Sequence, residues 1–465
     1  MLQLLGGDAQ AVHYPSTYYQ RDWFSACRDA RSCFSTPVAW NLTGELDTDA
    51  LTRALACLTR RHDALRTSFH SRDDDVDQVV WPMVQLDLRT VDLSDVPGPE
   101  AAVDDRIVVE SGRPRLLDTP PLWHGLLFRL GPRRHVLALF IHHLVFDGWS
   151  HGVFRDELVR CYRAAATGRP ARLPPLRAQP GRFAEWERGF RDPASEAWWH
   201  DRLTALPPLS PLPPVGGRFV SQAIPEVPWE AMVTLGRLAQ AEGVGVSAVL
   251  LAVLLAARRP VTGDDVVIGM TRAGRDRPEL QRVVGPLLDH VPVRVDLSGP
   301  PPFRELLHRV HRAHREAMAH QLPLGLIRRV VPEDLGPRGG RLYDTRYNYL
   351  PYGSARSGVV IAPGGELTLT DRPVEPTRLA PRHTEDHPEV LPLTYVLRHQ
   401  RDGTLRGEIC VHDGLYSAAR RVEVAESFTT ALVRVAREEA VQPLPAPAPV
   451  PTAAPAGARH RGTAR

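Results

Sequence analysis

The sequence predicts an α+β (mixed α/β) protein, and two observations carry the prediction. Short apolar runs rich in β-branched and aromatic residues, such as Val136 to Ile141 and Val266-Val267-Ile268, read as strands. Between such runs lie segments with apolar residues at helical spacing, as at Leu51, Leu55 and Leu58. Strands interleaved with helices fit a mixed architecture. A chain of 465 residues is long enough for two or three domains.

In order along the chain, Leu46 to Arg60 follows an Asp-Thr-Asp start that can cap a helix. Leu126 to Ile141 supplies two apolar strands separated by Gly131-Pro132, and Phe154 to Ala166 forms an amphipathic helix after them. These elements place a first unit at residues 1–175. A proline-rich connector at 176–228 carries the aromatic cluster Phe183, Trp186, Phe190, Trp198 and Trp199, which packs against a neighbouring unit. No basic groove pattern accompanies these aromatics, so base stacking is not expected. A second unit at 229–440 begins with helices. One of them, Val246 to Ala257, is an apolar run too short to span a bilayer and reads as a buried core helix. Further strands fall near Tyr343 to Tyr349, Leu393 to His399 and Gly407 to Val411. Residues 353–392 are loop-like and could cross back to the first unit, and a Pro/Ala-rich tail at 441–465 is expected to be disordered.

The most informative stretch is Ile141-His142-His143-Leu144-Val145-Phe146-Asp147-Gly148-Trp149-Ser150. A strand ends in two histidines and an Asp-Gly turn follows. A strand tip is a rigid platform from which a side chain can be aimed into a cleft. Imidazole titrates near neutrality and can activate an amine or hydroxyl for attack on a carbonyl. Adjacent strand residues point to opposite faces, so the two histidines diverge. His143 is the candidate base, and His142 packs behind it. No Gly-x-Ser-x-Gly elbow occurs, so Asp147 is expected to pair with a buried arginine and fix the loop. Gly148 permits an unusual backbone conformation and leaves its N–H open to the cavity. Ser150 reads as a helix cap. A His-His-Asp metal site is disfavoured, because adjacent residues diverge and no further nitrogen or sulfur ligand lies at usual spacing.

Composition narrows the remaining classes. Hydrophobic residues make up 43% and charged residues 24%, as in ordinary soluble proteins. Lysine is absent, which excludes a lysine nucleophile or Schiff base. A formal charge of +3 indicates no global attraction to nucleic acid. Cys27, Cys33, Cys57, Cys161 and Cys410 are scattered without CxxC pairing, which suits a reducing cytoplasm, and no secretory signal or membrane segment is evident. Leu5-Gly6-Gly7-Asp8-Ala9 superficially matches a phosphopantetheine attachment site, but alanine stands at the serine position. His308, His311 and His314 drift around an Arg-rich helix that leads to His320 and read as a solvated face, not as a metal site.

At the His-His-x-x-x-Asp-Gly motif the chain resembles the condensation domains of nonribosomal peptide synthetases, whose superfamily also includes chloramphenicol acetyltransferase. Arg61-His62-Asp63-Ala64-Leu65-Arg66-Thr67-Ser68-Phe69 is similar to that family's Arg-His-Glu-x-Leu-Arg-Thr-x-Phe segment. Val283 to Arg294, His320-Gln321-Leu322-Pro323 and Tyr347-Asn348-Tyr349 resemble later motifs, so the likeness spans roughly residues 14–435. The chain departs from the pattern in several places. In the first motif Ser16 and Trp23 fit, but Tyr19 stands where glutamine is expected. Leu287, Asp289 and His290 replace Phe, Asn and Thr; Leu322, Leu324 and Gly325 replace Asp, Phe and Glu.

The resemblance implies two acetyltransferase-like lobes in a V-shaped pseudodimer with a central tunnel. It implies condensation: transfer of an acyl or aminoacyl group from a carrier-protein phosphopantetheine thioester to an amine or hydroxyl, giving an amide or ester. His143, His142, Asp147 and Gly148 would form the catalytic set, with the Gly148 N–H as the candidate oxyanion donor. Asn348, Ser16, Asp289 and His290 would bind substrate, and Arg66 or Arg275 would support Asp147. No bound cofactor or metal is implied; the phosphopantetheine belongs to an acyl or peptidyl carrier protein met in trans, because no adenylation or carrier segment is present. A small soluble amine or alcohol is the expected acceptor. Two rivals share the fold: a coenzyme A-dependent acyltransferase, and a non-catalytic module that recruits a partner enzyme to a synthetase.

Overall fold

A computed structural model describes residues 10–437 except 28–30, 33–34, 74, 210–217, 333, 336–339, 352–358, 362–366, 375–381, 384–390 and 401. Cys33, the Leu5–Ala9 segment and the 441–465 tail lie outside the described residues.

Two mixed sheets, each with its own apolar core, organise the chain. The first has six strands in the spatial order Val359–Val360, Thr368–Arg372, Ser35–Thr43, Arg134–His142, Trp123–Gly131 and Leu88–Asp92. Its central strand Arg134–His142 is buried on both faces, which explains its near-continuous apolar run. Leu137, Leu139 and Ile141 pack toward the helices Thr48–Arg61 and Gly148–Ala166, while Val136, Ala138 and Phe140 pack toward the helix Pro99–Ser111.

The second sheet has seven strands in the order Asp289–Asp296, Asp265–Arg272, Thr345–Leu350, Leu393–His399, Leu405–His412, Arg218–Val227 and Arg382–His383. The helices Trp229–Ala241, Val246–Thr262, Phe303–Ala319 and Ala418–Ala436 bury their apolar stripes in its core. Among the described residues no single helix is long and apolar enough to cross a membrane.

Strand pairing moves the expected boundaries. The end of the 176–228 connector is the strand Arg218–Val227, paired with Leu405–His412 inside the second sheet. Thr368–Arg372 falls within the bounds of the second unit, in the stretch 353–392 that could cross back, and it pairs antiparallel with Ser35–Thr43 in the first sheet. The physical reason is the unpaired edge that Ser35–Thr43 would otherwise expose. Ile361, Leu367 and Leu369 join the first core, and Arg372 binds Asp104 at 2.8 Å and Glu100 at 2.6 Å.

The connector's aromatic cluster packs as expected. Phe183 joins Leu280, Val283 and Leu287, Arg277 lies 4.2 Å over the Trp186 ring, and Trp198 stacks on His320 at 4.5 Å. On the Arg-rich helix, His308 pairs with Glu242 at 2.8 Å.

Candidate active site

The strand Arg134–His142 stops at His142 because the chain turns there: the Val145 N–H donates to the His142 carbonyl at 3.0 Å and the Leu144 N–H to His142 Nδ1 at 3.1 Å. His142 is therefore fully buried with its Nδ1 as acceptor, and its ring meets Trp23 edge-on at 6.2 Å. His143, one residue on, is half-buried, with Trp23 at 5.6 Å and Tyr19 at 6.4 Å. The difference comes from the turn and not from strand alternation, because the strand ends at His142 and His143 already lies in the turn.

Asp147 is buried and its carboxylate is held from five sides. Arg275 donates to it twice, at 2.6 and 3.1 Å. The Ser150 N–H, the Ser150 hydroxyl and the Leu287 N–H donate at 2.9, 2.7 and 3.2 Å. Arg275 also donates to the carbonyls of Ala273 and Gly285, both at 2.7 Å. Asp147 thus caps the helix Gly148–Ala166 and clamps the loop 273–287 of the second half against the first. Its charge is engaged by arginine and not aimed at His143. Glycine is required in that loop: Gly274 has φ +66°, and a Cβ there would lie 1.8 Å from the Leu287 carbonyl oxygen.

Several expectations change at this point. Arg66, the other candidate partner of Asp147, instead binds Asp63 at 2.5 Å and the Trp81 carbonyl, because it sits in the 3-10 turn Asp63–Arg66. Ser150 is not itself the cap: it lies in the first turn, donates to Asp147 and accepts from the Gly285 N–H at 3.0 Å. Gly148 has no left-handed conformation. It is exposed at the first position of the helix, where a Cβ would meet nothing within 4 Å. Its N–H is one of the initial donors of the helix, which have no partner within the helix itself.

The first-motif glutamine is also present, one residue later than expected. Thr17 and Gln20 form a capping box: the Gln20 N–H donates to Thr17 Oγ1 at 3.1 Å, and the Thr17 N–H donates to Gln20 Oε1 at 3.0 Å. The Gln20 amide donates onward to the Leu144 carbonyl at 3.1 Å and so supports the histidine turn. The Thr-x-x-Gln spacing in the sequence is the signal that points to it. Ser16 is fully buried, with its N–H on the Val76 carbonyl at 3.0 Å. Glu157, unremarked in the sequence, ties the motif helix down: its buried carboxylate binds Arg61 and His62, each at 2.8 Å.

Of the residues assigned to substrate, Asp289 is turned inward. It accepts from the Leu324 N–H at 3.0 Å and the His290 N–H at 2.8 Å, holding the start of the helix Leu324–Val330. His290 lies beside the site, edge-on to Tyr19 at 6.0 Å. Asn348 occupies the interior strand Thr345–Leu350, third in the sheet, and is half-buried. Its neighbour Tyr347 points the other way into the helix layer, donating to the Ser247 carbonyl at 3.0 Å. Among the described residues no three His, Cys, Asp or Glu side chains are grouped to hold a metal ion.

Known proteins share this architecture. A sequence model described as "Condensation domain" matches residues 10–438. Chondramide synthase cmdD of Chondromyces crocatus is 36% identical over 330 residues, a match covering 68% of this chain and 8% of that protein. The chain thus spans only a small part of the length of this curated relative. The solved structure of SgcC5 from Streptomyces globisporus superposes with a TM-score of 0.76 at 22% identity, covering 90% of this chain and 99% of that one. The X-domain from teicoplanin biosynthesis gives 0.76 at 24% identity, covering 93% and 97%. With the two sheets, the acetyltransferase-like fold and the motif at the strand tip, these matches lead to one conclusion: the chain belongs to the condensation domain family of nonribosomal peptide synthetases.

Proposed function

We propose that this chain is a condensation enzyme that moves an acyl or aminoacyl group from a carrier-protein phosphopantetheine thioester to a small amine or alcohol acceptor. His143 carries the reading: it is half-buried at the end of a rigid strand, beside an aspartate that is wholly engaged in structure. In the step proposed, His143 takes the acceptor's N–H or O–H proton as its nitrogen or oxygen attacks the thioester carbonyl carbon. The C–S bond then breaks, and the departing thiol takes the proton. The Gly148 N–H faces the developing oxyanion. General acid–base catalysis of this kind contributes roughly 10²- to 10⁴-fold.

An untethered acceptor finds support in SgcC5, whose solved structure contains an aryl ethanediol. The X-domain supports the rival of a recruiting module, since it has been solved in complex with OxyB. Intact His143, Asp147 and Arg275 favour catalysis here. Intact-mass analysis tests this: purified protein is incubated with acyl-loaded carrier protein, or the same acyl group on coenzyme A, plus pooled amines and alcohols. Acceptor-dependent unloading of the carrier that His143→Ala abolishes is expected. Transfer from coenzyme A alone would move the chain to the acyltransferase branch, and transfer from neither would favour recruitment.

A further inference from the structure

Two cysteines of the first half face each other across a helix pair. The helices Thr48–Arg61 and Gly148–Ala166 pack antiparallel: Arg53 Nη2 donates to the Ala165 carbonyl at 3.5 Å, and Arg61 Nε donates to Glu157 at 2.8 Å. Cys57 lies one turn from both Arg53 and Arg61, and Cys161 lies one turn from both Ala165 and Glu157. The same register therefore brings the two thiols together, and Cys161 forms a side-chain hydrogen bond with Cys57. Both are free thiols, Cys57 half-buried and Cys161 buried. No CxxC spacing records the pair, because helix packing creates it.

Cys57 lines a cleft of about 480 Å³ together with Arg60, Arg61, Leu173, Leu176 and Gln179. Arg61 is matched by Glu157, whereas Arg60 is exposed and has no carboxylate partner among the described residues. The cleft is thus positive and favours anionic reagents. The Cys161 hydrogen bond lowers the Cys57 thiol to about 6; burial opposes the shift, and Arg60 and Arg61 add to it. The same bond and burial push the Cys161 thiol up. The sulfur on the cleft is the thiolate, and the sulfur behind it keeps its proton.

We infer that Cys57 is a covalent modification site for small anionic disulfides, with Cys161 as its resolving thiol. The Cys57 thiolate attacks one sulfur of the disulfide, forms a new S–S bond and expels the other half as a thiolate. Cys161 then attacks Cys57 Sγ, and its proton passes to the small thiol that leaves. The protein loses two electrons, and the disulfide is reduced to two thiols. The resulting crosslink ties the motif helix to Thr48–Arg61 one turn from the Glu157 anchor.

The full chain, reduced and then freed of reductant, is mixed at about pH 7 with glutathione disulfide (anionic), bis(2-hydroxyethyl) disulfide (neutral) or cystamine (cationic). Acid-quenched samples are read by intact mass and peptide mapping, and each rate is divided by that of 2-mercaptoethanol with the same reagent. A transient adduct at Cys57, followed by a Cys57–Cys161 crosslink, is expected. Glutathione disulfide should exceed cystamine at Cys57 by at least about tenfold, and Arg60→Gln should remove most of that preference while changing the neutral reagent little. Cys161→Ala should stop at the mixed disulfide, and Cys57→Ser should leave Cys161 unmodified. If Cys161→Ala fails to fold, the order of adduct and crosslink in the wild type gives the same reading. Modification of Cys161 in Cys57→Ser, or a Cys57 that reacts no faster than the other cysteines, would overturn the inference. An adduct that persists in the wild type without a crosslink would overturn the role of Cys161, and equal rates for the three reagents would overturn the anionic preference. None of these readouts depends on acyl transfer.

Discussion

At the residue scale, two neighbouring histidines have opposite surroundings. His142 is buried and its Nδ1 takes the Leu144 N–H, so it shapes the turn; His143 is half-buried, so it can meet a substrate. Replacing His143 with alanine should leave the melting temperature close to wild type and lower kcat by roughly 10²- to 10⁴-fold, measured by single-turnover unloading of an acyl carrier. A fully active His143→Ala protein would remove the proposed base. Gly148→Ala gives a sharper reading. A Cβ there meets no protein atom within 4 Å, and the backbone is not left-handed. The variant should therefore fold with unchanged melting. If the thioester passes close to the Gly148 N–H, as proposed, turnover should fall. Unchanged kcat and KM would place the substrate elsewhere.

At the element scale, the motif helix is held from both halves of the chain. Glu157 anchors it to Arg61 and His62, and Asp147 at its start binds Arg275 of the second half. The Asp147 and Arg275 side chains are only 2% and 1% exposed, so removing one partner strands a charge. Asp147→Ala should cost about 3–5 kcal/mol in urea unfolding. The Asp147→Ala, Arg275→Ala double variant should recover part of that loss, because the uncompensated arginine is gone. Additive losses would mean that the pair is not coupled. The core strands and helices were legible because side-chain periodicity reports local burial. Arg275 was legible as a candidate because a buried aspartate needs a cation. Gln20 escapes a motif alignment that starts at Ser16, although its capping-box spacing to Thr17 is visible. A crossing back by residues 353–392 was legible, but the strand Thr368–Arg372 and its partner Ser35–Thr43 were not, since nothing local records which distant edge a short strand will cover. The inward turn of Asp289 depends on the Leu324 N–H, 35 residues away.

At the scale of the whole molecule, the two halves and their connector meet around one buried acid. Glu187, on the connector helix Pro180–Gly189, accepts the Tyr18 N–H of the first half at 2.8 Å. Burial and then the nearby charge of Asp289, from the second sheet, push its carboxyl up to about 8, against the weaker opposing pull of the Tyr18 hydrogen bond, Arg272 and Arg188. In the unfolded chain the same group titrates near 4.5. Below that value both states are protonated and Glu187 contributes no pH dependence. Between 4.5 and 8 the folded state keeps a proton that the unfolded state has lost, so rising pH favours unfolding. Above 8 both states are ionised and the penalty stops growing. Glutamine can still accept the Tyr18 N–H and has no proton to lose. Glu187→Gln should therefore melt increasingly above wild type from about pH 5 to 8, by up to a few kcal/mol, and the gap should level off at about pH 9. Parallel melting curves across that range would show that Glu187 is ionised in the folded protein, and a gap that narrows with pH would reverse the sign of its linkage. The affected contacts join three parts of the chain, so the same titration should loosen the seam between the two sheets before either core unfolds. Hydrogen-exchange protection at Tyr18 and Leu324, with each rate divided by the intrinsic rate at the same pH, checks that order at about pH 6 and pH 9 in both proteins: lower protection at the higher pH is expected in the wild type and not in Glu187→Gln.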